Sequence, residues 1–317
     1  MKKGVFTISI DYEFAWGYAD KKLTRSDRER IEGEVKIVER LLTLFEKYNI
    51  PATWAIVGHL LECDCNWEKK LPHSEYPRPI FTEEKRDWFF QHPEKGDLQD
   101  VLWFDTKGLI KKIAGSKVNH EIGSHSYAHI IYNKSLTNGL AIGVDIENMK
   151  RIHTKHNLPY DSFVFPRNIG SYHTQLAKAG VKYYRGNSRK WYSGFSGSVC
   201  RIGHLVDQFL PFGRVVVPCV HSSGLINVPD SMLLLGRNGL RKTIKSSWVV
   251  RKALAGIKKA ARQKKVFHLW FHPSNFSYDT ETQFRIFEEI LKEVKHLQVK
   301  GSLDVMTMCE IGSSVKK

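Results

Sequence analysis

The 317-residue sequence predicts an α/β fold in which strands and helices alternate. Short runs rich in β-branched residues recur along the chain, and the first, VFTISI at 5–10, is typical of a strand buried on both faces. Stretches with apolar residues at helical spacing follow such runs, as at 28–47. Polar side chains gather where the predicted strands end. Repeated units of this kind favour a parallel sheet, either open or closed into a barrel.

The predicted elements can be placed in order along the chain. The helix at 28–47 is separated by Pro51 from a second strand at 52–57. The alternation continues with helices around 142–152, 173–179, 247–263 and 280–296, strands at 162–165, 181–184 and 266–272, and a β-rich composition at Gly203–Ser223. Because neither an internal repeat nor a low-complexity linker interrupts this pattern, we expect residues 1–317 to form a single domain.

One segment, at about 62–118, departs from this alternation. It shows little periodicity and is rich in aromatic residues, namely Trp67, Trp88, Phe89, Phe90, Trp103 and Phe104. A loop of this length in a compact domain is usually functional or carries small elements of its own. We interpret the segment as an insertion, and two roles stay open for it: a cap over a functional site, or a small satellite core.

The composition restricts where the chain is expected to work. It contains no run of about eighteen apolar residues, so a membrane-spanning helix is not expected. The N-terminal sequence has only a short apolar run before Asp11, unlike a secretory signal peptide. The five cysteines form no recognisable disulfide framework, and Cys63 and Cys65, which are spaced for metal binding with His59, are better interpreted as free thiols. We therefore expect a cytoplasmic protein.

The net charge of +16 is unevenly distributed. No acidic residue occurs between Asp230 and Asp279, whereas eleven basic residues do, with Trp248 and several aliphatic residues interleaved among them. This basic segment, at about 237–265, is most simply a solvated helix face that packs on the core through its apolar side. Peripheral contact with an anionic membrane or a phosphate group is the alternative, and nucleic acid is the least favoured partner. The oligomeric state is not predicted.

The strongest chemical signal comes from a histidine-rich segment and from the end of the first strand. HEIGSHSYAH at 120–129 follows a polar break and a short apolar stretch, a pattern typical of a strand that ends in a loop, and it contains His125 and His129. The first strand ends in Asp11-Tyr12-Glu13. Two imidazoles and one carboxylate are a usual ligand set for catalytic zinc, which keeps a further position for water.

Two later strand ends add further polar groups. The strand at 162–165 is followed by Pro166-Arg167-Asn168, and the strand at 266–272 ends in His272. Because parallel strands in a barrel present their functional residues at their carboxyl ends, we expect these groups to share one site with the acids and the histidine loop. Aromatic and amide side chains near these ends suit a sugar ring. The candidate substrate contacts are Trp16, Asn168 and Trp270.

These residue types predict hydrolysis. A zinc ion lowers the pKa of a bound water towards neutrality, and a second carboxylate can accept the proton of that water. A histidine on the opposite wall can then protonate a leaving amine. The pattern therefore favours cleavage of an amide or an ester.

The same residues resemble those of the polysaccharide deacetylase family, the NodB-homology domains of carbohydrate esterase family four. His125-Ser126-Tyr127-Ala128-His129 matches the His-Ser-x-x-x-His motif of the family, and Asn119–Ser124 resembles the sequence that leads into it. Pro51–Gly58 resembles the second strand of the family, and Phe271-His272-Pro273 resembles the last catalytic strand. The resemblance extends from residue 5 to about 295.

This resemblance implies a distorted (β/α) barrel of seven strands, similar to a TIM barrel. It implies metal ligands, a base, an acid and an orienting residue: Glu13, His125 and His129 as ligands, Asp11 as general base, His272 as general acid and Arg167 beside the base. Two departures from the family pattern leave alternatives open. Tyr12 separates the two acids, so Asp11 and Glu13 could exchange roles, and Arg167 follows Pro166 instead of preceding a proline.

The activity implied is metal-dependent removal of an acetyl or similar small acyl group from an amino sugar, with Zn²⁺ as the favoured metal. The expected substrate is a glycan or a lipid-linked sugar of surface polysaccharide synthesis, met in the cytoplasm with the basic segment on the inner face of the membrane. Two alternatives remain. One is a cyclic-amide hydrolase of the allantoinase type on the same fold, and the other is a non-catalytic module that binds a glycan or an anionic lipid.

Overall fold

The computed structural model describes residues 1–18, 22–62, 67–68, 71–73, 76–77, 100–188, 197 and 213–315. The first strands within these residues are β1 (Gly4–Tyr12), β2 (Thr53–Ile56), β3 (Trp67–Glu68), β4 (Leu71–Pro72), β5 (Glu121–Ser124) and β6 (Ser162–Val164). The remaining strands are β7 (Tyr183–Arg185), β8 (Cys219–Val220), β9 (Ile226–Asn227), β10 (Met232–Leu233), β11 (Val266–Phe271) and β12 (Leu303–Val305).

A curled, mostly parallel sheet forms the centre of the molecule. Its strand order is β10-β11-β1-β2-β5-β6-β7-β9-β8, and β12 also pairs with β1. Among the described strands of this sheet, only β8 and β9 pair antiparallel. β1 lies between β11 and β2, and all nine of its residues are buried, as its continuous apolar pattern predicts. The carboxyl ends of the parallel strands therefore lie along one edge.

The sheet has ten strands within the described residues, so the prediction of seven is wrong, whereas the α/β class and a barrel-like curvature agree with the prediction. Three features raise the number. β8 adds an antiparallel partner for β9. Pro229 lies between β9 and β10 and lacks the N–H that a continuous strand needs, so this stretch forms two short strands. Near the C-terminus, β12 adds a partner for β1 that the sequence pattern did not reveal.

The helices cover the outside of the sheet. They are α1 (Arg25–Tyr48), α2 (Leu109–Ala114), α3 (Gly139–Lys155), α4 (His173–Ala179), α5 (Ser246–Gln263), α6 (Thr280–Val299) and α7 (Met308–Ser314). Each of the five predicted helices lies within one of these elements. The long α1 illustrates why: Thr24 and Asp27 form a reciprocal capping box at its start, and Asn49 ends it in the left-handed conformation with φ of 50°.

The insertion is described at its two ends. Trp88, Phe89 and Phe90 lie outside the described residues. Trp103 and Phe104 are buried in the same hydrophobic cluster as the strands of the sheet, so the end of the insertion joins the main core. β structure is predicted at Gly203–Ser223, and the structure describes this range only from residue 213. β8 forms within the described part. Within the described residues, no helix combines the length and the apolar character needed to cross a membrane.

Candidate active site

Three side chains with metal-binding atoms converge beyond the ends of β1 and β5. Glu13 Oε2 lies 2.9 Å from His129 Nε2 and 3.2 Å from His125 Nε2. The three ligand atoms lie within 4.8 Å of one another. In a tetrahedral zinc site with bonds of about 2.0–2.2 Å, ligand atoms are separated by roughly 3.3–3.5 Å. The donor set and its dimensions therefore fit a single zinc-sized cation.

The orientation of His125 also suits a metal ligand. Its Nδ1–H donates to the carbonyl oxygen of Val164 at 2.8 Å. This hydrogen bond orients the ring so that Nε2 faces Glu13, and in the neutral ring Nε2 is the nitrogen with a lone pair for a metal. A backbone carbonyl behind the coordinating imidazole is a common second layer in metal sites, where it orients the ring and makes the ligand more basic.

The loop that carries both histidines has a strained backbone. Ser126 and His129 have φ values of 71° and 56°, in the left-handed region that costs a residue with a side chain about 1–2 kcal/mol. Asp145 of α3 stabilises the loop: it accepts hydrogen bonds from Ser126 Oγ at 3.0 Å and from the N–H groups of Tyr127 and Ala128 at 3.1 Å each. Because this carboxylate is buried, it is a fixed support for the turn that brings His129 back over the cluster.

Asp11 lies beside the cluster and is paired with Arg185. The Arg185 guanidinium donates to both carboxylate oxygens, Nη1 to Oδ1 at 2.6 Å and Nη2 to Oδ2 at 2.7 Å. Arg167, which the family pattern places beside the base, has no described contact with Asp11. It lies exposed in the turn after Pro166 with φ of 55° and lines the cleft near His129. In this structure the arginine that contacts Asp11 is Arg185, at the end of β7, whereas the turn after Pro166 places Arg167 at the rim.

The guanidinium of Arg185 is itself held on all sides. Nη1 also donates to Ser9 Oγ at 2.9 Å, and Nη2 donates to Asn168 Oδ1 at 2.8 Å. The Cζ atom of the group lies 4.1 Å from the ring centroid of Trp270. A buried charge with this many partners has a defined geometry, so the Asp11 carboxylate has little freedom to rotate. The predicted substrate contacts Asn168 and Trp270 line the cleft and also support Arg185.

His268 also belongs to this hydrogen-bond network. Its Nε2 lies 2.8 Å from Ser9 Oγ, and its Nδ1 lies 3.2 Å from the carbonyl oxygens of Val228 and Pro229. Since Nδ1 must donate to a carbonyl, Nε2 accepts from the Ser9 hydroxyl, and the ring is neutral. Burial, and then the nearby charge of Arg185, lowers the pKa of His268 to about 4. His268 is therefore a structural partner of the network.

His272 faces the carboxylates from the end of β11. Its Nε2 lies 3.6 Å from Asp11 Oδ2 and 3.6 Å from Glu13 Oε1, and a quarter of its side chain (24%) is exposed. It borders a cleft of about 330 Å³ that is also lined by Asp11, Glu13 and His129. The cleft gives a small ligand access to both carboxylates, to His129 and to His272.

Trp16 and Gly17 occupy places that the sequence did not predict. Trp16 is fully buried, donates from its indole nitrogen to the Trp103 carbonyl oxygen at 3.1 Å, and packs on His59. Its ring therefore offers no face to a sugar, and its predicted role as a substrate contact is wrong for this structure. Gly17 approaches the metal cluster: a Cβ atom there would come within 2.0 Å of Glu13 Oε1. Only glycine at this position leaves room for the Glu13 carboxylate.

The charges at the site are coupled. Burial alone would raise the pKa of Glu13, but the neighbouring His272 and His129 hold it well below its usual value. Burial opposes ionisation of Asp11 in the same way, and Arg185, followed by His125 and His272, keeps its pKa below the ordinary value. Both carboxylates are therefore ionised at neutral pH, which metal binding and proton acceptance require.

A second histidine pair lies away from this cluster. His59 Nε2 is 2.9 Å from His73 Nε2, and both rings are buried. Cys63 and Cys65, whose spacing with His59 drew attention in the sequence, lie outside the described residues. Within the described part of the chain, Glu13, His125 and His129 are the group of three whose ligand atoms converge.

Comparison at the level of sequence gives no relative. No protein-family model matches the chain, and no curated protein matches it either.

Solved structures resemble almost the whole chain. A protein assigned as a polysaccharide deacetylase from Mycobacterium smegmatis has a TM-score of 0.60 and 13% identity, over 99% of this chain and 91% of its own. A second protein with this assignment, from Pseudomonas aeruginosa PAO1, has a TM-score of 0.58 and 12% identity, over 98% and 90%. TK1436, a GH57 branching enzyme from Thermococcus kodakaraensis, has a TM-score of 0.59 and 10% identity, over 100% and 72%. The chain therefore has a fold shared by proteins of both kinds.

Proposed function

We propose that this protein is a metal-dependent hydrolase that removes an acetyl, or a similar small acyl, group from an amino sugar. The observation that carries the proposal is the convergence of Glu13, His125 and His129 beside a cleft that is also lined by a fixed aspartate and a partly exposed histidine. The resemblance of the sequence motifs to polysaccharide deacetylases supports it, and so does the fold shared with proteins assigned to that activity.

In this proposal Glu13, His125 and His129 hold the metal. Two nitrogen ligands and one oxygen ligand favour Zn²⁺ among the available divalent ions. A divalent metal bound there supplies a Lewis acid that makes water more acidic and polarises an acyl oxygen.

The two acids then take different roles. Glu13 is assigned as the ligand because one of its oxygens lies within 3.2 Å of both imidazoles. Asp11 is assigned as the general base because its Oδ2 lies further from His125 Nε2, at 4.0 Å, and is fixed by Arg185. Asp11 accepts a proton from the attacking water, and Arg185 holds the carboxylate in the orientation that this transfer needs.

His272 is assigned as the general acid. It lies at the cleft wall with Nε2 facing both carboxylates, and its partial exposure lets it reach a leaving group. When the acyl carbon gains the water oxygen and the C–N bond breaks, His272 donates a proton to the departing nitrogen, so the products are a carboxylate and a free amine. The dimensions of the cleft, about 330 Å³, suit one sugar residue rather than a deeply enclosed polymer.

Acetate release from N-acetylated sugars tests this proposal. Purified protein is stripped with a chelator and reloaded with Zn²⁺, and we expect activity to disappear and return. His125→Ala should be inactive in the presence of Zn²⁺, whereas His120→Gln, which changes a partly buried histidine outside the cluster, should retain activity. A His125→Ala variant as active as the unchanged protein would refute the proposal. Hydrolysis of a cyclic amide under the same conditions, without acetate release from any sugar, would show that the protein is a cyclic-amide hydrolase instead.

A further inference from the structure

The charge composition of α5 differs from that of the long helices α1 and α6. α1 contains six acidic and six basic residues, and α6 contains four acidic and three basic residues, whereas α5 contains five basic residues and no acidic one. α1 and α6 are joined by ion pairs such as Arg40–Glu281 at 2.5 Å and Lys47–Glu288 at 2.6 Å. A solvated helix face normally mixes both signs in this way, so the composition of α5 needs another explanation.

The inner face of α5 is fixed on the sheet. Val250, Ala253, Ile257 and Ala260 are buried, and Gly256 lies so close to β11 that a Cβ atom there would come within 2.1 Å of the Phe267 ring. This packing anchors the helix and defines which side chains point outwards. The outward stripe carries Trp248, Arg251, Lys258 and Arg262, at spacings of three, seven and four residues, which place them on one side of a helix.

We define the basic face as Lys242, Lys245, Trp248, Arg251, Arg262 and Lys264, all of which are exposed. Within the described residues, no carboxylate lies within ion-pair distance of these five cations. The pair Lys258–Glu293, at 3.4 Å, lies beside the face. Trp248 is 39% exposed, and the Arg251 guanidinium lies 5.0 Å from its ring centroid. Cations without partners around an exposed indole are the combination found in proteins that bind at membrane interfaces.

A short stretch of chain links the rim of the cleft to the start of the basic face. Leu233 and Leu235 line the cleft, and the chain passes from them through Gly236 to the short helical turn Gly239–Thr243 and then to α5. Gly236 packs against Asn275, which also lines the cleft. The distance along the chain from cleft to basic face is therefore about ten residues.

We propose that the basic face binds the surface of an anionic lipid bilayer, with α5 lying along the headgroups and Trp248 inserted among them. Charge complementarity favours this partner, because each Lys or Arg near an anionic leaflet contributes attraction while an indole gains from the interfacial region. Attachment through this face brings the rim of the cleft to the membrane. A sugar carried on a lipid then reaches the candidate site, a consequence that rests on the proposed function.

Vesicle sedimentation tests the proposal without any assay of activity. The whole protein is mixed with vesicles of phosphatidylglycerol and phosphatidylcholine, or of phosphatidylcholine alone. We expect it to sediment with the anionic vesicles only, and salt should weaken the binding. Lys245→Glu/Arg251→Glu should lower the partition coefficient about tenfold or more, since each cation near the surface contributes roughly fivefold to the attraction. Lys111→Glu/Lys117→Glu makes the same change in net charge at exposed sites beside α1 and should bind as the unchanged protein does.

Quenching of tryptophan fluorescence by brominated phospholipid gives an independent readout. We expect anionic vesicles with this lipid to quench the protein, and Trp248→Phe to lose that quenching while the other tryptophans remain. Equal sedimentation of the Lys245→Glu/Arg251→Glu variant and the unchanged protein would overturn the proposal. Binding to single-stranded RNA without binding to anionic vesicles would also overturn it and assign the face to nucleic acid.

Discussion

Arg185 and Asp11, separated by 174 positions in the sequence, form two parallel hydrogen bonds of 2.6 and 2.7 Å inside the sheet. β7 and β1 bring them together although they are not adjacent strands. Arginine is suited to this contact because its planar fork matches both oxygens of a carboxylate. The pair links the sheet to the candidate chemistry, since it sets the position of the proposed base.

We predict that Arg185→Lys lowers kcat about 10²- to 10⁴-fold with a smaller change in KM, because lysine cannot bind both oxygens and the base loses its orientation. Steady-state kinetics on an N-acetylated sugar measure the effect. Arg167→Lys, which changes the exposed arginine at the rim, should leave kcat nearly unchanged. If Arg167→Lys lowered kcat and Arg185→Lys did not, Arg167 would be the residue that orients the base.

We predict that Asp145→Asn weakens zinc binding about 10- to 100-fold although Asp145 offers no ligand atom to the cluster. The amide loses one acceptor of the hydrogen bonds that hold the strained histidine loop. Competition with a chromogenic chelator measures the zinc affinity. Asp161→Asn, at a partly exposed aspartate paired with Lys182, is the matched control. Equal affinity in both variants would contradict the supporting role of Asp145.

The proposed acid role of His272 predicts that His272→Ala depends on the leaving group. Hydrolysis of an N-acetyl sugar should fall about 10²- to 10⁴-fold, because a departing amine needs a proton. Hydrolysis of an acetyl ester with an activated phenol should fall much less, since that group departs without protonation. Parallel assays of both substrates, with His156→Gln as a control at an exposed histidine, give the comparison. Equal losses on the two substrates would exclude the acid role.

The buried histidines predict a dependence of stability on acid. Burial lowers the pKa of His120, His153 and His268 to about 4, below the ordinary value of 6.5. Between these values the unfolded chain binds protons that the folded chain does not, so the free energy of unfolding should fall as pH decreases from about 6.5 towards 4. Urea titrations of chelator-treated protein measure this change. His153→Gln should reduce the pH dependence, whereas His156→Gln should not; a flat profile would contradict the assignment.

The sequence predicts the ligand cluster because strand ends are visible in it. Asp11-Tyr12-Glu13 follows a continuous apolar run, and the histidine loop follows a short apolar stretch; both patterns predict strands. The carboxyl ends of parallel strands in a curled sheet lie at one edge. The cluster of Glu13, His125 and His129 follows from that topology. Which residues surround the cluster depends on the direction of each side chain, and an apolar pattern does not specify that direction.

Three features of the structure could not be predicted from the sequence. Arg185 is the last residue of a short strand and differs in no visible way from a loop arginine until the sheet places it opposite Asp11. A tryptophan after a strand, such as Trp16, suits a sugar subsite or the core, and only its packing against Trp103 decides between them. Pro229 and β12 changed the number of strands through short pairings that leave no periodic signal.

The central claim is that Glu13, His125 and His129 bind one metal ion, and anomalous diffraction from crystals grown with Zn²⁺ tests it most directly. Data collected on both sides of the zinc absorption edge locate the ion without reference to activity. We predict a single strong peak at about 2.0–2.2 Å from a Glu13 carboxylate oxygen and from Nε2 of His125 and His129. An anomalous map without a peak among these three side chains, in crystals whose protein is saturated with zinc, would contradict the account.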